Sequence, residues 1–190
     1  MAAAVAALAG AAGAATVRST YRIVPGVSIG GAKLNASIAS TGHALGKVRS
    51  ISRGLINCPM FPRGAVCPVY TYRSRPGLTV QFQGIPKGSG IGPSWQQGTP
   101  KHPVVSYLYT KSSRYRTSSG IAVGSTIKEV LAAYPSLVCP TNSPYDLCYL
   151  AKTRGGWLEN ETDFNTNGVP SPTSVVTSID MQSWNCACNY

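Results

Sequence analysis

Two segments of this 190-residue chain carry the same helix signals, and each is followed by two cysteines nine residues apart and then by strand-like alternation. The clearer copy is Val123–Pro135. Thr126 and Glu129 have the spacing of a capping box, in which each side chain answers the other residue's backbone N–H. Ile127, Val130, Leu131 and Tyr134 fall on one face of a helix, and Pro135 stops it. The weaker copy is Leu34–Gly46, with Ser37 as cap and Gly46 as stop. Gly42 inside it costs helix propensity. After the first helix come Cys58 and Cys67, then alternating segments at Val69–Tyr72, Leu78–Gln83 and Val104–Tyr109. After the second come Cys139 and Cys148, then Leu147–Ala151, Trp157–Phe164 and Val175–Met181. Pro76-Gly77 and Gly155-Gly156 supply turns at matching points. The expected fold is α+β: two tandem units, each a short helix followed by an antiparallel meander, forming a paired concave sheet. The first unit is expected over residues 16–118 and the second over 119–190. Gly84–His102 reads as a long Gly/Pro/Ser-rich loop within the first.

The segment VGSTIKEVLAAYP, Val123–Pro135, resembles the VGMT-x-x-x-V-L-x-x-x-G helix of the β-lactamase inhibitory protein family. Ser125 stands where that family favours Met, and Pro135 where it favours Gly. The resemblance implies two helix-plus-sheet repeats with a disulfide in each, and a concave sheet face that grips another protein. Outer-membrane assembly lipoproteins of the SmpA/OmlA type are similar to a single such unit. A shared fold does not fix a shared target, so the partner stays open.

The six cysteines are Cys58, Cys67, Cys139, Cys148, Cys186 and Cys188. Sequence alone allows many connectivities. The repeat points to Cys58–Cys67 and Cys139–Cys148, each closing a short loop worth about 2–3 kcal/mol in the chain-entropy model. Cys186 and Cys188 either bridge each other under strain or hold the C-terminal segment elsewhere. A zinc site is the alternative. It lacks the CxxC spacing, and His43 and His102 are far from any cysteine in sequence. No cofactor is expected.

Residues 1–15, MAAAVAALAGAAGAA, read as a secretory signal peptide or its remnant. Ala12-Gly13-Ala14 is a small-x-small cleavage pattern, though no Lys or Arg follows Met1. The other reading is a flexible Ala-rich leader. Together with the even cysteine count, this places the chain as secreted or extracytoplasmic. No stretch is long and apolar enough to span a bilayer.

Charge is unevenly laid out. Of 190 residues only 12% are charged, yet the net charge is +11. No acid precedes Glu129, while residues 1–128 hold fifteen Lys and Arg. Residues 129–190 hold all six acids and two basic residues, Lys152 and Arg154. A basic half calls for an anionic partner. Tyrosines interleave with the cations in two clusters, Tyr70, Tyr72, Arg73 and Arg75, and Tyr107, Tyr109, Lys111, Arg114, Tyr115 and Arg116. On strands, Tyr70 and Tyr72 share a face, as do Tyr107 and Tyr109. Tyr and Arg are favoured anchors at protein interfaces. These ten residues are the expected binding residues, for an extracellular protein or an anionic envelope polymer. Nucleic acid is disfavoured by compartment. The bland reading is a sheet whose tyrosines half-fill the core and whose arginines are solvated.

Chemistry is harder to find. Neither histidine has a carboxylate near it in sequence, and GxSxG and HExxH are absent. Gly88–Gly92 lacks the G-K-[ST] ending and following helix of a phosphate loop. The expectation is a non-enzymatic protein with no catalytic residues, with a hydrolase of unrecognised site as the remaining alternative. Asp163–Gly168 matches the first half of a calcium loop but lacks the closing Glu. The same residues also read as a hairpin turn at Asn167-Gly168. Glu159, Glu161 and Asp163 would then line the solvent face of a strand.

Overall fold

The computed structural model describes residues 21–53, 65–86, 98–141, 145–154 and 157–183. The leader, Cys58, Gly88–Gly92, Cys186 and Cys188 lie outside these residues. The elements in order are β1 (Arg22–Val24), β2 (Ser28–Ile29), β3 (Ala32–Lys33), α1 (Ile38–Leu45), β4 (Val48–Arg53), β5 (Pro68–Tyr72), β6 (Leu78–Gln83), β7 (Val104–Thr110), β8 (Arg116–Thr117), α2 (Ile127–Ala133), β9 (Leu147–Arg154), β10 (Trp157–Asn165) and β11 (Ser178–Ser183).

Both helices form where their caps lie. Ser37 accepts from the Ser40 N–H, and Gly46 closes α1 at φ 75°. Thr126 and Glu129 form the full capping box of α2. The remaining first-turn donors of α2 are met by the chain between β10 and β11: Ile127 N–H donates to Ser174 O and Lys128 N–H to Pro172 O, each at 2.9 Å. This segment is therefore spread over the helix end, and Asn167-Gly168 is not the tight hairpin turn expected. The far end of α1 is closed from the β5–β6 turn. Ser74 Oγ donates to Leu45 O, and Arg75 Nη2 to Ala44 O. Ile127 and Val130 are buried, and Tyr134 stacks on Phe164, but Leu131 is turned outward.

The expected fold class is overturned. The chain is mostly β, with two helices of eight and seven residues among the described residues, rather than tandem helix-plus-sheet units. Seven strands form one antiparallel sheet in the order β4-β5-β6-β7-β11-β10-β9. β7 and β11 pair directly, from Ile179↔Thr110 to Gln182↔Tyr107, so the two halves share one hydrogen-bonded surface instead of presenting two sheets. A second sheet, β3-β2-β1-β8, involves strands absent from the sequence-based expectation. The physical reason is area. Two-turn helices cover only part of a seven-stranded sheet's apolar side, and the short N-terminal strands supply further cover. Ile23, Ile29, Ala32 and Leu45 join Val80, Phe82, Leu108, Phe164, Ile179, Met181, Ile127 and Val130 in one core that draws on both halves. The N-terminal turn is tied to β10: Gly26 N–H donates to Thr162 Oγ1 at 2.7 Å, and Asn160 Nδ2 donates to Gly26 O at 2.8 Å.

Cys139 and Cys148 are disulfide-bonded, as the repeat suggested. Cys67 is also disulfide-bonded. Among the described residues no helix is long and apolar enough to cross a membrane.

Two glycines make opposite predictions. A Cβ on Gly84 would lie 2.3 Å from the backbone O of Thr99, because the 98–102 turn rests directly on the end of β6. Gly84→Ala should cost about 1–3 kcal/mol through overpacking. Gly42, in α1, has nothing within 4 Å of a Cβ, so Gly42→Ala should stabilise by about 0.5–1 kcal/mol. Chemical denaturation of both variants checks the pair; equal effects would contradict these surroundings.

Candidate functional site

Successive side chains of a strand point to opposite faces, so the register assigns every residue of the large sheet to one side. On the core side lie Leu78, Val80, Phe82, Leu108, Phe164, Ile179 and Met181. The other side is polar. Two rows of residues cross all seven strands there. One runs Tyr149, Asp163, Asp180, Tyr109, Thr79, Thr71, Ser50. The other runs Ala151, Glu161, Gln182, Tyr107, Gln81, Val69, Ser52. The acids sit at one end, hydroxyls at the other, and the two tyrosines of β7 between them.

The acidic end is buried. Asp163 is 1% exposed and Glu161 4%, which overturns their expected place on a solvent face. Asp163 and Asp180 oppose each other across the β10–β11 pair, so two carboxyls face each other in one buried site. Burial pushes the Asp180 carboxyl up to about 6, and the Glu161 carboxylate adds to the rise. Hydrogen bonds from Asn165 Nδ2, Tyr107 and Asp163 work against it. Burial and the charge of Asp180 raise the Tyr107 phenol far above its ordinary range, so it stays protonated and donates to Asp180. Gln182 Nε2 donates to Asp163 Oδ2 at 3.3 Å and reaches Glu161 Oε2 at 3.5 Å. Gln81, beside Tyr107, is fully buried, and neither of its side-chain amide atoms is hydrogen-bonded among the described residues. The arrangement makes proton binding at Asp180 easier than at an exposed carboxylate, because the charged form is held in a low-dielectric setting. With Asp163 committed to this face and Gly168 N–H donating to Asp146 Oδ2 at 3.0 Å, the half-matched calcium loop is otherwise engaged.

The opposite end is open and cationic. A groove of about 480 Å³ is lined by Arg49, Arg75 and Lys111, by the hydroxyls of Ser50, Thr71 and Thr79, and by Tyr109. Among the described residues no acid lines it. Tyr107 and Tyr109 stack at 6.3 Å between centroids, and Lys111 Nζ lies 5.9 Å above the Tyr109 ring, within cation–π reach. Arg49 and Lys111 are exposed. Arg75 is half-buried, its guanidinium spent on the carbonyls of Gly30, Ser74 and Ala44. It contributes charge to the groove and holds the end of α1.

The ten residues expected from sequence divide. Tyr107, Tyr109 and Lys111 lie on or beside the polar rows. Tyr70 and Tyr72 lie on the core side, where Tyr70 meets Phe82 edge-on at 4.9 Å, and Tyr72 also borders the groove. Burial pushes the Tyr72 phenol up to about 12, with Tyr70 adding to the rise. Tyr115 is fully buried against Tyr21, and burial pushes its phenol up to about 12 as well. Arg73, Arg114 and Arg116 are exposed outside the groove lining. Arg49, Ser50, Thr71 and Thr79 were missed: the segments of Arg49, Ser50 and Thr79 carry no tyrosine, Thr71 alternates with Tyr70 and Tyr72 onto the opposite face, and only the register aligns these residues with Tyr109. His43 and His102 are both exposed, on α1 and in the 99–102 turn.

No family model matches the chain. No curated protein matches it. Among solved structures, the crystal structure of the uncharacterized protein yfeY from Escherichia coli is similar over 83% of this chain and 97% of its own, at 13% identity and a TM-score of 0.39.

The buried pair fixes a sign for pH dependence. A carboxyl whose folded pKa is raised binds its proton more tightly in the folded chain, so its contribution is full at low pH and lost as pH rises through about 6. The shift from 3.8 is worth on the order of 3 kcal/mol, shared across the hydrogen-bonded pair. Asp180→Asn removes that titration. The stability of this variant relative to wild type should therefore increase between pH 4 and pH 7 in urea unfolding. A difference that stays constant with pH would contradict the assignment.

Proposed function

We propose that this chain is an extracytoplasmic, non-enzymatic binding protein whose working surface is the cationic groove on the polar side of the large sheet, and that it takes an acidic partner protein there. The observation that carries the reading is the groove lining: Arg49, Arg75 and Lys111 with Tyr109 and three hydroxyls, and no acid among the described residues. Cation, hydroxyl donors and a tyrosine platform together suit carboxylate groups on a protein surface.

The disposition of the acids supports it. Asp163, Asp180 and Glu161 are buried, which withdraws three of the six acids from the surface, while Glu129 and Asp146 stay exposed. The outward-facing charge is thus more positive than the net +11 implies. The disulfide supports an oxidising compartment. The likeness of Val123–Pro135 to the helix of the β-lactamase inhibitory proteins fits the same class, a protein that binds protein, and names no target. An anionic envelope polymer is the second reading, favoured by exposed cations outside the groove lining, among them Arg22, Lys33, Arg73, Lys101, Arg114 and Arg116.

Polyglutamate is a sufficient probe. Binding to the wild-type chain should weaken with added salt, and the double variant Arg49→Glu/Lys111→Glu should lose at least about tenfold in affinity, or about 1.4 kcal/mol. Both side chains are exposed, so folding should be unaffected. Undiminished binding by the double variant, with loss only when Arg73, Arg114 and Arg116 are reversed, would move the reading to the polymer. No binding by wild type at low salt would remove both.

A further inference from the structure

The two edges of the large sheet differ. At one end, β9 is backed by Val138, which exchanges backbone hydrogen bonds with Tyr149 at 3.0 and 2.8 Å. The Cys139–Cys148 disulfide fastens that cover in place, since each of its cysteines adjoins one of the two bridged residues. At the other end, β4 pairs with β5 and has no strand on its outer side among the described residues. An open edge is a row of backbone donors and acceptors waiting for a strand. Arg49, Ser50, Ile51 and Ser52 are all exposed along it, Ile51 at 60%.

What guards this edge also selects its occupant. The β4–β5 ladder is bulged between Val48 and Ser50, and Lys47 and Arg49 are exposed beside the edge. A second copy of β4 would bring another Lys47 and Arg49 against these, so like charge opposes self-pairing. An acidic segment is attracted instead.

We propose that β4 is a strand-addition site, on which an extended peptide of alternating acidic and apolar residues docks as an eighth strand. The proposal rests on the reading of the groove as a surface for an acidic partner and specifies how that partner enters. Ser50 and Ser52 belong to the two polar rows, so peptide residues facing that way project beside Arg49 and the groove. Ile51 is in register with Tyr70 on the core side, so the intervening peptide residues project beside its exposed side chain. Backbone hydrogen bonds would supply affinity and the alternation would supply specificity.

The test uses the full chain and a labelled peptide of about nine residues alternating Glu and Val, a length matched to an ordinary strand. Two N-methylated versions carry the methyl groups on alternate residues, one version on the Glu positions and the other on the Val positions. A strand offers the N–H groups of alternate residues to one edge, so one version should lose at least about tenfold in affinity while the other binds like the parent. A block peptide of the same composition should also bind at least about tenfold less. If both methylated versions and the block peptide bind like the parent, strand addition is wrong. If they do so and binding is still lost in salt, the groove reading stands without it. Binding of polyglutamate but not of the alternating peptide leads to the same separation. Failure of both probes removes the groove reading and this proposal together.

Discussion

The pairing of β7 with β11 is the constraint on which the rest of the molecule depends. β4 to β7 form one meander and β9 to β11 another, and among the described residues only the contact from Ile179↔Thr110 to Gln182↔Tyr107 makes them one sheet. On the core side the seam sets Leu108 against Met181, both fully buried. On the other side it sets Asp180 against Tyr109 and Gln182 against Tyr107. Register is therefore specified on both faces, since a one-residue slip would drive Asp180 and Gln182 into the apolar core.

The seam also explains the charge layout. A chain with its acids confined to residues 129–190 would be expected to present an acidic half and a basic half. Folding instead draws Asp163, Asp180 and Glu161 beneath the surface and raises the proton affinity of Asp180. The desolvation cost of those carboxyls is lowered by Tyr107, Asn165 and Gln182, all of which are fixed by the same strand pairings. Among the described residues what remains outside is largely cationic, and Arg49 and Lys111 bring part of that charge to the groove that Tyr109 also lines.

Much of the local structure was legible in the sequence. Ser37 and Thr126 start helices because their side chains cap backbone N–H groups a few residues away, an interaction written within one turn. Leu78, Val80 and Phe82 mark β6 because alternation is local as well. The seam was not legible, because Tyr107 and Gln182 are far apart in sequence and nothing near either names the other. The faces were misread for the same reason. Tyr70 and Tyr107 look alike in sequence, yet Tyr70 sits beside Val80 and Tyr107 beside Gln81, on opposite sides of one strand. Glu161 and Asp163 alternate like a solvated face, and only tertiary burial reveals otherwise. β4 lacks the apolar alternation that marks β6, and so the open edge and Arg49 went unnoticed.

Hydrogen exchange of individual backbone amides in the native protein tests the one-sheet account most directly, because exchange reports which segments open together. The account predicts that amides of β6, β7, β11 and β10 exchange slowly and with one common opening free energy, with the outer edge of β4 opening first. Exchange of β9 to β11 as a unit, at a free energy well below that of β5 to β7, would mean two separately stable halves and would contradict it.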